Sequence, residues 1–460
     1  MFAFIYSLPF FILSLFFLIS PSICQESLST SPSLAPAPAP APAFKTYPPS
    51  LFLYVNQGDL EEYSGEFDSY FRRLGIDSSH FSLCFYTNSD NSYTLGIGMS
   101  YPYKWVWAAN RNDPVRDGAA IILKEDGNLV LLDFDDRLVW QTNTANKGVV
   151  GIKMLENGNM VLYDSKNRFI WQSFDYPSDT LLPGQALKVG LTTKLVSRAS
   201  TTSYLEGNYT LEMRPNNVSL YYKSPKNPTP LPYYRIDQIY GSTPSKEFSY
   251  YVGITNFASN FKFQALQYVT TDWMSSSNQQ LAETWYDSTY SFLRLDIDGK
   301  LRAYSYDPLN RVGGIWKVEF TLFEGEPLPG DQLGATECQM PEKCGDFGVC
   351  YKNQCVACPS PRGLLGWTEK CVQPKLVCGD GEINAKYYKV VGVVHYSSMY
   401  TEGEGPMKPR ACKTKCSKDC KCAGFFYDEE KLRCLIVYDL KTLTQTSNLK
   451  QFGYIKVSNY

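Results

Sequence analysis

Twice the chain sets alternating polar residues around a turn and then runs on into an apolar stretch. In "LKEDGNLVLLD", residues 123–133, the turn-forming Asp126-Gly127-Asn128 leads into Leu129–Leu132; in "MLENGNMVLYD", residues 154–164, Asn157-Gly158-Asn159 does the same. Side chains two apart in a strand share a face. Lys124, Asp126, Asn128, Val130 and Leu132 therefore line one side of the first stretch, and Leu155, Asn157, Asn159, Val161 and Tyr163 the matching side of the second. A row of polar groups ending in an aromatic can hydrogen-bond a sugar. The competing reading is that the repeated phrase only builds hairpins.

Other chemistry is harder to find. The two histidines, His80 and His395, stand near no serine or cysteine nucleophile motif, so acyl transfer lacks its base. Asp and Glu are plentiful, but no stretch marks a carboxylate pair for glycoside cleavage. Gly403-Glu404-Gly405-Pro406 is turn chemistry and not a phosphate loop. A non-enzymatic protein without cofactor is expected.

Of the 14 cysteines, Cys24 falls in the leader and Cys84 stands alone, and the rest form two sets of six: Cys338, Cys344, Cys350, Cys355, Cys358 and Cys371, then Cys378, Cys412, Cys416, Cys420, Cys422 and Cys434. In a secreted chain these read as disulfide staples for small modules. Zinc through Cys355-x-x-Cys358 or the Cys420-x-Cys422 pair competes with that reading. An oxidising compartment and the shortage of histidine ligands oppose it, so no metal is expected. Six cysteines permit 15 pairings, and spacing does not choose among them. Cys84, in "FSLCFYTN", is either a buried, inert thiol or an intermolecular bridge.

The surrounding chain must position these groups. Its 460 residues suit three or four domains, and a formal charge of −2 gives no reason to expect nucleic acid or an anionic membrane surface as partner. Aromatics at 15%, among them 34 tyrosines, favour an all-β chain. The opening "MFAFIYSLPFFILSLFFLIS" reads as a signal peptide, residues 1–24, cleaved after Cys24. A retained anchor competes, but the run is short and lacks flanking basic residues. No second apolar run of spanning length follows, so a secreted, unattached protein is expected, with no membrane span after cleavage. Residues 25–46 hold "STSPSLAPAPAPAPAF", an extended polyproline II spacer; in a plant, such a run would resemble an arabinogalactan-type glycosylation module.

The repeat extends past the opening phrase. "LVWQTN" at 138–143 and "FIWQSF" at 169–174 lie the same 31 residues apart, and "KWVWAANRND" at 104–113 is a looser third version in which Trp107 takes the place of Trp140 and Trp171. Units that each bury a tryptophan around a shared centre predict a threefold, prism-like β arrangement in which no unit is stable alone.

"WVWAANRNDPVRDGAAIILKEDGNLVLLD", "VWQTNT" and "WQSFDYPSDTLLPGQAL" resemble the bulb-type (G-type) mannose-lectin domain of plant S-locus glycoproteins and lectin receptor kinases. "FLRLDIDGKLRAYSYD" at 292–307 and the first six cysteines resemble the middle of the same proteins with its EGF-like module, and "CKTKCSKDCKCAGFFYDEEKLRC" at 412–434 is similar to their PAN/apple module. The order resembles that of the secreted, epidermis-specific glycoprotein group of plants. The resemblance implies a mainly β chain: a bulb-type lectin β-prism at 47–196, a second prism-like β domain at 197–335, an EGF-like module at 336–376 and a PAN/apple-like domain at 377–460. It also implies Cys412–Cys434 and Cys416–Cys422 disulfides, which leaves Cys378 for Cys420.

Mannose-binding members of that family use Gln-x-Asp-x-Asn-x-Val-x-Tyr. Asp126, Asn128 and Val130 match in the first copy, where Lys124 replaces Gln and Leu132 replaces Tyr. Asn159, Val161 and Tyr163 match in the second, where Leu155 and Asn157 depart. A third candidate, Asp296, Asp298, Lys300, Arg302 and Tyr304, keeps only Asp298 and Tyr304. A monosaccharide site with a dissociation constant near 1 mM is worth about 4 kcal/mol, and each lost hydrogen bond removes about 1 kcal/mol. Two losses push affinity to tens of millimolar, so hairpin building dominates and binding survives best in the Tyr163 copy or for extended glycans touching several copies. The expected partners are mannose-type or cell-wall glycans, bound weakly; the alternative is a soluble relative of receptor ectodomains that engages glycoproteins or receptors and binds no sugar.

Two acceptor sequons occur, at Asn208 (Asn-Tyr-Thr) and Asn217 (Asn-Val-Ser). Secreted material should start near Gln25 and carry N-glycans at both sites. Peptide mass spectrometry that finds both asparagines bare, or the leader intact, overturns this.

Overall fold

Runs rich in β-branched and aromatic residues, punctuated by Gly, Asn and Asp turns, form strands throughout the described residues. The protein is mainly β, and Pro409–Lys418 is the one α-helix among the described residues. The structure is a computed structural model describing residues 47–457 apart from 48, 100–101, 191–193, 215–216, 238–244, 255–260, 271–275, 285–289, 309–313, 325–335 and 376–385. The expected signal peptide, the spacer and Cys378 lie outside the described residues.

Three antiparallel sheets make the first unit. One joins Ser50–Val55, Ala120–Lys124, Leu129–Leu132 and Leu138–Gln141; the next, Tyr70–Asp77, Phe81–Thr87, Thr94–Met99 and Lys104–Ala108; the last, Val149–Met154, Met160–Asp164 and Phe169–Gln172. Each sheet contributes one tryptophan to a common centre. The rings of Trp107, Trp140 and Trp171 meet pairwise at 5.9, 6.2 and 5.8 Å with planes inclined by 74° to 77°. Edge-to-face contact of this kind sets the positive rim of one ring on the negative face of the next. Leu83, Leu95, Ile121, Leu131 and Leu162 complete the core around them.

A second set of three sheets follows. Lys194–Ser200 to Leu231–Asp237 form one; Ala186–Lys188 joins Ser245–Ile254, Phe261–Thr270 and Ser276–Thr284; Thr180–Leu181 joins Ser291–Leu295, Leu301–Asp307 and Ile315–Thr321. By strand membership the change of unit comes between Gln172 and Thr180, ahead of residue 196. The second unit satisfies its sheet edges with chain that has just left the first: Thr180 pairs with Arg294, and Ala186 with Ser249.

Buried charge locks the two units together. Arg294 donates to the Glu66 carboxylate at 2.8 Å and to the Trp105 carbonyl at 2.7 Å; Arg198 donates to the same carbonyl at 3.3 Å and is held by Asp179 of the connecting segment at 2.9 Å. Arg111 donates to the Val196 and Ser197 carbonyls at 2.6 and 2.7 Å. Burial raises both carboxyls, but the neighbouring cations outweigh it: Arg294, Lys104 and Arg198 hold Glu66 below the ordinary range, and Arg198, Arg111 and Arg294 hold Asp179 well below it.

The cysteine-rich tail docks through a similar device. Glu342 accepts hydrogen bonds from Tyr209 at 2.7 Å, Tyr222 at 3.0 Å and Lys441 at 2.8 Å. The two cysteine-rich segments share one five-stranded sheet, in which Val349–Tyr351 runs parallel to Leu443–Gln445. The disulfides are Cys338–Cys350, Cys344–Cys355, Cys358–Cys371, Cys412–Cys434 and Cys416–Cys422. Cys420 is also disulfide-bonded. Neither cysteine pair weighed as a zinc ligand set keeps thiols, and no metal-ligating cluster occurs among the described residues. Cys84 is fully buried, and burial pushes its thiol well above the usual range. No helix among the described residues is long and apolar enough to cross a membrane.

His395 lies fully buried, its Nε2 donating to the Asp439 carbonyl at 3.1 Å while Nδ1 accepts from the Ser397 hydroxyl at 2.8 Å. Burial pushes its imidazole down to about 3, against the smaller upward pull of the Asp439 carbonyl. Because this lies below the ~6.5 of an unfolded histidine, the unfolded chain binds the extra proton first. Stability from this residue is complete above pH ~6.5 and falls on acidification, by about 2 kcal/mol at pH 5. Denaturant titrations of native protein and His395→Gln across this window should give a flatter pH slope for the variant; parallel slopes overturn the assignment.

Candidate carbohydrate-binding site

The two copies of the repeated phrase fold into matching hairpins. Gly127 and Gly158 both sit at φ +83°, and a Cβ on Gly158 would come within 2.6 Å of Phe81 and 2.7 Å of Leu182. Only glycine turns the chain there. The first residue of each turn caps it: Asp126 Oδ1 accepts from the Asn128 N–H at 2.8 Å, and Asn157 Oδ1 from the Asn159 N–H at 3.2 Å.

Asn128 and Asn159 are buried and do the same work. Asn128 donates to Gln141 Oε1 at 2.9 Å, and its carbonyl oxygen accepts from the Thr144 N–H at 3.1 Å and the Thr142 hydroxyl at 3.3 Å. Asn159 donates to Gln172 Oε1 at 2.9 Å and accepts from the Phe174 N–H at 3.2 Å and the Ser173 hydroxyl at 3.3 Å. Each amide ties its turn to the chain leaving the tryptophan strand. Val130 and Val161 are 1% and 0% exposed and face Gln141 and Gln172 across the sheet.

The third candidate lies in the second set of sheets and keeps the hairpin, with Gly299 at φ +82° and Asp298 accepting from the Lys300 N–H at 3.1 Å. Its polar groups answer one another. Tyr304 donates to Asp296 at 2.7 Å, and Arg302 donates to Asp296 at 2.8 Å and to Asp298 at 2.9 and 2.6 Å. Lys300, at the asparagine position, turns to Glu324 and Glu337 at 2.6 and 2.5 Å.

The second copy differs from the other two in what it leaves available. Asn157 is exposed. Tyr163 is half-buried and lies over Gly151, where a Cβ would meet its hydroxyl at 2.5 Å, and Lys153 sits above its ring at 4.9 Å. Its hydroxyl donates to no group among the described residues. Beyond Gln172 opens a hollow of about 350 Å³ lined by Asp175, Gln185, Lys188 and Glu247. Lys153, Gln141 and Gln172 were not singled out in the sequence, although the two glutamines recur in "VWQ" and "IWQ" at the repeat spacing.

A family model described as D-mannose binding lectin matches residues 104–204. "EP1-like glycoprotein 3" of Arabidopsis thaliana is 43% identical over 425 residues, 89% of this chain and 92% of that protein. "Epidermis-specific secreted glycoprotein EP1" of Daucus carota is 42% identical, over 74% of this chain and 91% of its own length. "S-locus-specific glycoprotein S6" of Brassica oleracea is 27% identical, over 77% and 80%.

The geometry separates the two asparagines of the second copy. Asn159→Ala removes the partners of a buried amide and a backbone N–H and should cost about 2–3 kcal/mol; Asn157→Ala, at the surface, should cost less than about 1 kcal/mol. Urea unfolding of both variants checks this, and equal losses overturn the division of labour.

Proposed function

The chain belongs to the family of EP1-like glycoproteins and has a lectin-like architecture, and we propose that it is a secreted, non-enzymatic protein that recognises cell-wall or glycoprotein glycans weakly. The second copy of the repeated phrase carries the binding. The observation that supports this reading is the half-exposed face on which Tyr163, its hydroxyl uncommitted among the described residues, stands beside Lys153 over Gly151. Asn157 lies at the head of the same hairpin.

The Tyr163 hydroxyl and the Asn157 amide supply direct contacts to sugar hydroxyls, and the Tyr163 ring supplies an apolar surface. Asn159 and Val161 act from beneath, as supports. In the first copy Asp126, Asn128 and Val130 are supports throughout, since Leu132 offers no hydroxyl. A single contact set of this size is worth about 4 kcal/mol, a millimolar affinity. Useful avidity then comes from a branched glycan, or from several glycans on one surface.

A mannose-rich glycan array probed with the mature protein tests this. Saturable binding to oligomannose should disappear in Tyr163→Ala while the protein still shows a cooperative melting transition. A blank array for the native protein, or unchanged binding by the variant, overturns the reading.

A further inference from the structure

A second cleft lies far along the chain from the repeated phrase. It encloses about 520 Å³, the scale of one or two sugar residues, and is walled by the 3-10 turn Tyr396–Met399 and the strands Gly424–Asp428 and Arg433–Val437, with Arg235 reaching in from the second set of sheets. Two hydroxyls line it, Ser398 Oγ and Thr401 Oγ1, both buried and neither with a hydrogen-bond partner among the described residues. A buried hydroxyl left unmatched is costly, so these two call for a hydroxyl-bearing or oxygen-rich ligand between them.

The charges around the cleft are unequal in availability. Asp428 is committed: it accepts from the Gln451 amide at 3.0 Å and from the Glu430 and Lys431 backbone N–H groups. Glu402 stands 87% exposed at the rim, 3.8 Å from Arg433. The cations Arg235, Lys431 and Arg433 face this space, and Lys431 has no ion-pair partner within 4 Å among the described residues. Arg433 is partly spent on the Gly405 carbonyl at 3.0 Å. Apolar faces are supplied by Met399 and Phe426.

We propose that this cleft is a binding site for a carboxylated saccharide, a short oligomer of uronic acid. The sugar carboxylate meets Lys431 and the guanidinium groups, ring hydroxyls answer Ser398 and Thr401, and the apolar ring face rests on Met399 and Phe426. The site is separate from the Tyr163 hairpin and stands or falls without it.

Titration calorimetry of the mature protein with oligogalacturonate tests the assignment. Saturable binding is expected, weakened about tenfold by Lys431→Glu and by Ser398→Ala/Thr401→Val, and weakened by added salt. Neutral galactose and mannose oligomers should not compete, and Tyr163→Ala should bind the uronide like the native chain. Lys431 is exposed, so its variant should keep the native melting temperature and remain decisive if the double variant does not fold. No saturable heat, equal affinity for Lys431→Glu, or equal binding of neutral oligomers each overturns the proposal.

Discussion

Three indole rings, one from each sheet, meet edge to face at the centre of the first prism, and the rest of that unit is arranged to bring them there. Truncating a ring as buried as Trp107 or Trp171 costs about 3–5 kcal/mol, a large part of the 5–15 kcal/mol that keeps a domain folded. No single sheet can bury its own tryptophan. The repeats are therefore stable only together, and each hairpin must return its tryptophan strand at a set angle. Asn128 and Asn159 do this by holding the chain that leaves Trp140 and Trp171.

That requirement accounts for the conflict inside the repeated phrase. An asparagine whose amide and carbonyl are both spent on the neighbouring chain is not free to meet a ligand. In the second copy the Asn157 side-chain N–H groups and the Tyr163 hydroxyl carry no such tie among the described residues, although the Asn157 oxygen caps the turn. Where the tyrosine is replaced, as by Leu132, the hairpin persists without a binding face; where it is kept but surrounded by charge, as at Tyr304, its hydroxyl is taken by Asp296. The three copies thus share one hairpin and differ in how much of it remains uncommitted.

Beyond the first prism, polar contacts join the units alongside apolar packing, in which Phe292 enters the first core and Tyr396 the second. Glu66 with Arg294 and Asp179 with Arg198 lock one seam, and Glu342 with Tyr209, Tyr222 and Lys441 locks the next. Removing one partner of the buried Glu66–Arg294 pair strands a buried charge and costs about 3–5 kcal/mol. The cleft lined by Arg235, Ser398 and Lys431 opens where the second prism meets the tail. Such a junction holds polar groups in fixed relative positions while leaving some of them unsatisfied.

The mainly β character, the prism repeat and its three tryptophans were legible in the chain because each rests on contiguous spacing: turn residues ahead of apolar runs, and Trp140 and Trp171 at the repeat period. The looser match at Trp107 followed from the same local phrase. What escaped was every relation between distant segments. Arg294 reaches Glu66 across 228 residues, and Val349 pairs with Leu443 in a sheet shared by two segments expected to be separate modules. The pairing of the first six cysteines was equally out of reach, since many pairings satisfy the same spacing. Likewise, Asn128 and Asn159 stand in the polar row of a strand drawn alone, and only the folded sheet brings Gln141 and Gln172 within hydrogen-bond reach of them. Local periodicity is written by neighbouring residues and survives in the sequence; which polar groups remain free is decided by three-dimensional proximity, which tertiary packing alone supplies.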